Sequence, residues 1–180
     1  MAAEERGDRG GDRPSAAERP LATAAVAWPV ERITHQDVPA ICGLYKKVWD
    51  ADASGLPGEL VKTWQPTPLE FTSWMEGVTY FVARRDARVV GAIGCEIRHG
   101  ACHLLNLAVD PEVRRQGVAR ALVIASIDWA KHANAPVVWA DALTRFTAAA
   151  ALFKRLSFTE CGVLHKHEWH EDVRLFEQLI

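Results

Sequence analysis

The chain has 180 residues, of which 49% are hydrophobic and 24% charged, and a formal net charge of −2. That is the profile of one soluble globular domain able to bury a sizeable core, and it excludes the broad positive field that a nucleic-acid partner requires. Cys42, Cys95, Cys102 and Cys161 have no C-x-x-C spacing, which excludes the usual zinc and redox motifs and leaves reduced thiols in a cytoplasmic protein as the expectation.

Met1 to about Pro20 is rich in Ala, Gly, Arg, Asp and Glu and has almost no large apolar residue. Burial cannot offset its ordering entropy, so residues 1–20 are expected to be a disordered tail and residues 21–180 a single domain. Leu21 to Ala27 is apolar but too short to span a membrane. Glu4, Glu5, Asp8, Asp12 and Glu18 stand where a leader peptide would be cationic, so no membrane partner is expected.

Trp28 to Ile33 reads as a strand, and Thr34 or His35 caps a helix whose apolar positions run from Val38 to Val48. That helix is expected to end near Trp49. Asp50 to Pro66 reads as a loop with a short helical piece around Glu59 to Lys62, and Thr67-Pro68 opens another helix that runs to about Glu76. Val78 to Ala83 and Arg88 to Arg98 flank Arg85-Asp86-Ala87 as a hairpin, and His99-Gly100 turns the chain into a strand from Cys102 to Val109. A helix from Val118 to about Lys131 stops at Asn134-Ala135-Pro136. A strand from Val137 to Ala142, a helix from Arg145 to Leu156, and strands over Val163 to Trp169 and Val173 to Leu179 complete the pattern.

The stretch from Leu107 to Leu122, LAVDPEVRRQGVARAL, joins a strand, a basic turn and a helix start. The first turn of a helix leaves backbone N–H groups unpaired and carries the positive end of the helix dipole, so it stabilises phosphate oxygens. Arg114, Arg115 and Arg120 add formal charge there. Gly117 and Ala119 keep side-chain bulk away, so the backbone itself can approach an anion.

Arg114-x-x-Gly117-x-Ala119, preceded by Leu-Ala-Val-Asp-Pro, resembles the Arg/Gln-x-x-Gly-x-Gly/Ala signature of the GNAT acetyltransferase superfamily. The resemblance covers about Val30 to Ile180. It implies an α/β (α+β) fold with a mixed, mostly antiparallel sheet of about seven strands, splayed near its middle and flanked by helices. It also implies acetyl coenzyme A as acyl donor, held by Leu107, Ala108, Val109, Arg114, Arg115, Gln116, Gly117, Val118, Ala119, Arg120 and Phe153. The implied reaction is N-acetyl transfer to a primary amine, on a small molecule or a peptide, by direct attack in a ternary complex. It needs no metal and leaves a homodimer open. An N–H near Leu107 would stabilise the developing oxyanion.

Attack requires a neutral amine, which calls for a base. His103 is the first candidate, because it lies on the strand associated with the cofactor and imidazole titrates near neutrality. Glu96, on the preceding strand, is the second, acting through water. Asp50, Asp52 and Asp141 are candidates for binding a cationic substrate. His165, His167 and His170 have plausible ligand spacing, yet edge-strand histidines of this kind are common by chance. A second family motif is matched by Ala149 to Phe158, AAALFKRLSF, with Phe153 where many relatives have a tyrosine that protonates the leaving thiolate. Phenylalanine has no proton to donate. An acyl-coenzyme-A sensor with little catalysis is therefore the alternative to an enzyme.

Overall fold

The computed structural model describes residues 28–180. The expected tail at residues 1–20 and the apolar run from Leu21 to Ala27 lie outside the described residues. Seven strands form one sheet: β1 (Val30–Arg32), β2 (Thr79–Arg85), β3 (Arg88–Arg98), β4 (Ala101–Val109), β5 (Val137–Leu143), β6 (Thr159–Glu168) and β7 (Glu171–Leu179). Their order is β1-β2-β3-β4-β5-β7-β6, antiparallel throughout except where β4 runs parallel to β5. Five helices accompany them: α1 (Val38–Asp52), α2 (Gly58–Thr63), α3 (Pro68–Trp74), α4 (Val118–His132) and α5 (Thr147–Arg155).

Strand alternation divides the core between the two faces. Val82, Val89, Ala92 and Ala108 point toward Val38, Ile41, Tyr45 and Val48 of α1 and Phe71 of α3. Ala83, Val90, Ile93 and Leu104 point the other way, toward Leu122, Val123 and Ile127 of α4 and Phe153 of α5. β3 is therefore apolar on both sides, and its residues from Val89 to Cys95 are all buried. Gly91 sets the closeness of α4. A Cβ there would lie 2.7 Å from Val118 Cγ1 and 2.9 Å from Leu122 Cδ1, so the first turns of α4 rest directly on the β3 backbone.

Local signals explain most boundaries. Thr67 accepts from the Glu70 N–H while the Glu70 carboxylate accepts from the Thr67 N–H, a capping box that starts α3 with Pro68 in the first position. The three antiparallel hairpins each turn on two residues with positive φ: Asp86 (48°) and Ala87 (64°), His99 (50°) and Gly100 (87°), and Trp169 (48°) and His170 (70°). Such turns match the right-handed twist of the flanking strands. α1 runs on to Asp52, past the expected end at Trp49, because no glycine or proline follows Trp49 until Gly55. β6 begins at Thr159, four residues earlier than expected, since pairing with β7 extends it. No helix among the described residues is long and apolar enough to cross a membrane.

Candidate active site

Asp110 directly follows β4, and its buried carboxylate organises the turn into α4. Its Oδ1 accepts from the Glu112 N–H at 3.0 Å and lies 2.9 Å from Lys47 Nζ, and Arg88 reaches its other oxygen. Burial works against this charge. The hydrogen bonds from Lys47 and from the Glu112 N–H outweigh it and hold the carboxyl below the usual range. The chain then bends through Arg115 at φ 64° and Gly117 at φ 90°, and α4 begins at Val118. Gly117 is exposed, and a Cβ on it would approach nothing closer than Trp28 Cδ1 at 4.0 Å. The first-turn N–H groups of α4 thus open onto free space flanked by the exposed Arg115 and Arg120.

Two residues outside the motif buttress this turn. Trp28 Nε1 donates to the Gln116 carbonyl at 2.7 Å, and Arg85 donates to the Gln116 side-chain oxygen at 2.5 Å while its guanidinium lies 4.9 Å from the Trp28 ring centroid. Arg114 faces elsewhere. It forms a bidentate pair with Asp52 at 3.0 and 2.7 Å and donates to the Val109 carbonyl at 3.2 Å, tying the turn to the end of α1.

β4 and β5 pair only through Cys102 with Val138, His103 with Trp139, and Leu104 with Ala140, then separate. On its other side β4 is irregular, since Gly94 faces Leu105 but Ala92 faces Ala108, which leaves Asn106 and Leu107 opposite the single residue Ile93. Asn106 sits at φ 54° in this bulge. Tyr45 on α1 donates its hydroxyl to the Asn106 carbonyl at 2.8 Å, and the Asn106 side chain donates to the Tyr80 hydroxyl at 2.9 Å. Burial raises both phenols, Tyr45 well above the ordinary range and Tyr80 to about 12, so both remain protonated at neutral pH. In a planar trans peptide the C=O and the following N–H point in opposite directions. Holding the Asn106 carbonyl against α1 therefore aims the Leu107 N–H away from α1.

A cavity of about 320 Å³ opens where the strands part. Leu104 to Leu107 of β4, Asp141 to Leu143 of β5, Ala149 and Phe153 of α5, and Tyr45 and Trp49 of α1 contribute to its walls, with Trp64, Trp74, Phe146 and Glu168. His103 stands at the edge of the gap. Its Nε2 is 2.7 Å from Asp141 Oδ1, and its ring stacks on Trp139 with centroids 3.7 Å apart and planes 4° from parallel. Glu168, partly buried at the end of β6, has its carboxyl raised, first by burial and then by Asp141, with His167 offsetting a part.

The structure brings together His103, Asp141, Leu107 and Phe153 at this cavity. Ala108 lies buried beneath it, Val109 lies just past it, and Arg115, Gln116, Gly117, Val118, Ala119 and Arg120 form the adjoining turn and helix start. It does not bring the other candidates there. Glu96 pairs with Arg98 at 2.8 Å, Asp50 is held at the surface by Lys46 and Gln65, and Asp52 is committed to Arg114. Phe153 packs between Phe158 and Phe176 with 4% exposure, so its ring is part of the core as well as of the cavity wall. His165 lies 3.2 Å from Asp172, and among the described residues no three His, Cys, Asp or Glu side chains are grouped to hold a metal ion. Sequence reasoning missed Glu168, Tyr45, Asn106, Trp28 and Arg85. Only Asn106, the one polar residue in an otherwise apolar strand end, carried a local signal.

Residues 41–158 match the family model described as Acetyltransferase (GNAT) family. Human N-acetyltransferase 8 is 33% identical over 92 residues, covering 48% of this chain and 40% of that protein. The [Ribosomal protein bS18]-alanine N-acetyltransferase of Escherichia coli strain K12 is 37% identical over 60 residues, 33% of this chain and 40% of that protein. The chain thus spans less than half the length of these curated relatives. Among solved structures, the ribosomal-protein-alanine N-acetyltransferase from Brucella melitensis superposes with a TM-score of 0.72 at 22% identity, over 84% of this chain and 99% of that one. The PaiA N-acetyltransferase from Thermoplasma acidophilum, solved in complex with coenzyme A, gives 0.70 at 12% identity, over 84% and 98%. At these identities the likeness shows a shared fold.

Proposed function

The chain belongs to the GNAT acetyltransferase family, and on that premise we propose that it transfers the acetyl group of acetyl coenzyme A to a primary amine by direct attack. The observation that carries this reading is the parting of β4 and β5 immediately beside the open N-terminus of α4. The same gap holds the His103–Asp141 pair. The donor fits these residues. The pyrophosphate lies against the first-turn N–H groups of α4, with Arg115 and Arg120 adding charge and Gly117 leaving room, and the acyl end lies along the bulge at Asn106 and Leu107.

With Nε2–H given to Asp141, Nδ1 of His103 carries the lone pair and accepts a proton from the incoming ammonium. Trp139 and Asp141 fix the ring in that orientation. The neutral nitrogen then adds to the thioester carbonyl carbon, and the Leu107 N–H stabilises the charge on oxygen. Collapse breaks the C–S bond, and coenzyme A leaves as thiolate. Phe153 cannot protonate it. A thiol with an ordinary pKa near 8.5 is a tolerable leaving group, and water completes the proton balance. The N-protonated amide loses its remaining proton to solvent, and His103 passes the proton it took through water to the thiolate, leaving the amide, free coenzyme A and neutral His103.

Two measurements test this function. Acetyl coenzyme A at about 100 times its Kd is expected to add about 2.7 kcal/mol, or roughly 5–10 °C in Tm for a domain of this size. Release of free coenzyme A is expected with a primary amine. No thermal shift at saturating donor would refute donor binding, whereas a shift without release across a broad amine panel would select the sensor reading.

A further inference from the structure

Three rings that pack on one another form an aromatic part of the cavity wall. Trp49 at the end of α1 and Trp64 after α2 have centroids 4.4 Å apart, and Phe146 before α5 lies 5.9 Å from the first and 6.1 Å from the second. All three are partly exposed, and all line the cavity along with Trp74. The polar lining includes His103, Asn106, Asp141 and Glu168, with no lysine or arginine among the described residues. The nearby cations are already engaged: Arg114 is paired with Asp52, and Arg145 donates to the Gly55 carbonyl at 2.7 Å and lies 3.6 Å from Glu171. The cavity therefore combines an aromatic wall with acidic lining residues, and no described lining residue is a cation that could neutralise a second negative charge.

Building on the acetyl-transfer reading, we propose that the acceptor is a small monoamine with a flat aromatic body on a short linker and no carboxylate beside the amine. The aromatic body lies against the wall formed by Trp49, Trp64 and Phe146, where rings offset or tilt against one another favourably. Its ammonium group reaches Glu168 and Asp141 before passing its proton to His103. A carboxylate on the same carbon would stand within a few ångströms of those two acids. At the effective dielectric of a protein surface, such an encounter weakens binding by about 100-fold. The volume of about 320 Å³ is at the low end of the roughly 300–1,000 Å³ typical of small-molecule pockets and is shared with the acyl end of the donor, which suits a compact acceptor.

The test compares matched amines with the full chain and saturating acetyl coenzyme A, following release of free coenzyme A. Phenethylamine and tryptamine are expected to exceed phenylalanine and tryptophan by about 100-fold in kcat/KM, and to exceed ethylamine by at least about 10-fold through burial of the ring. Trp64→Ala is expected to erase the advantage of the ring. Glu168→Gln, which keeps shape, is expected to narrow the gap between amine and amino acid. Comparable turnover of phenylalanine and phenethylamine would overturn the proposal. So would preferential turnover of spermidine or an alanine-terminated peptide, while leaving acetyl transfer itself intact. A donor-induced thermal shift with no amine acetylated would overturn the acetyl-transfer reading and this proposal together.

Discussion

Tyr45→Phe removes one hydroxyl from a fully buried side chain, and with it the 2.8 Å hydrogen bond to the Asn106 carbonyl. The ring, its contact with Phe71 and the volume of the core are kept. Losing the donor leaves a part-buried carbonyl unsatisfied, which costs about 1–3 kcal/mol. At roughly 2–4 °C per kcal/mol for a domain of this size, Tm is expected to fall by about 2–12 °C. The larger consequence is local. The Asn106 residue holds a φ of 54° that non-glycine residues seldom adopt, and the Tyr45 and Tyr80 hydroxyls are what fix its carbonyl and side chain. Without Tyr45 the peptide that carries the Leu107 N–H is free to rotate. kcat is expected to fall by about 10-fold or more, below the 10²–10³-fold typical of deleting an oxyanion donor outright. The Kd for acetyl coenzyme A, set mainly at the start of α4, is expected to change little. Steady-state kinetics beside isothermal titration and thermal unfolding separate these effects. A lowered Tm with an unchanged kcat would refute the argument that the bulge is aimed by Tyr45.

Further outcomes follow from the same geometry. Gly117→Glu places a charged side chain at a position with φ 90° in front of the α4 N-terminus, and titration calorimetry is expected to show acetyl coenzyme A binding weakened at least about 100-fold by bulk and repulsion. Gly91→Ala sets a methyl 2.7 Å from Val118 Cγ1. The overpacking is expected to cost about 1–3 kcal/mol in denaturant unfolding and to weaken donor binding as α4 is pushed from β3. The Glu168 carboxyl is raised in the folded chain, so the folded state binds its proton more tightly than the unfolded one. The stability it contributes is full below the ordinary glutamate pKa near 4.3 and is lost as pH rises through the raised value. Glu168→Gln is thus expected to raise Tm at neutral pH and to leave it nearly unchanged below about pH 4; a lower Tm at neutral pH would contradict this sign.

The strand-to-helix turn before α4 was legible because its signal is local: a glycine, small neighbours and arginines after an apolar strand. The succession of strands and helices along the chain was also readable, since alternation and turn residues mark the first two hairpins. Pairing across the fold was not. Nothing near Arg114 says that it binds Asp52 across 62 positions, or that Trp28 reaches Gln116 across 88. Asp50 and Asp52 shared the chemistry expected of amine-binding acids, yet each found a cation or amide outside the cavity. Glu168 looked like one more polar residue on an edge strand. It reaches the gap because β6 pairs with β7, which in turn pairs with β5, an arrangement settled only by tertiary contacts.

Three residue pairs join β4 to β5, so two antiparallel half-sheets share one short parallel ladder. Past Leu104 and Ala140 each half turns a row of backbone N–H and C=O groups inward, the situation of a sheet edge placed inside the molecule. An extended ligand with amides of its own can serve such edges as an inserted strand does. On the acetyl-transfer reading, the acyl donor takes that place as a temporary structural member, and donor binding is expected to precede productive binding of the acceptor. The length of a single β-ladder is what leaves the place open.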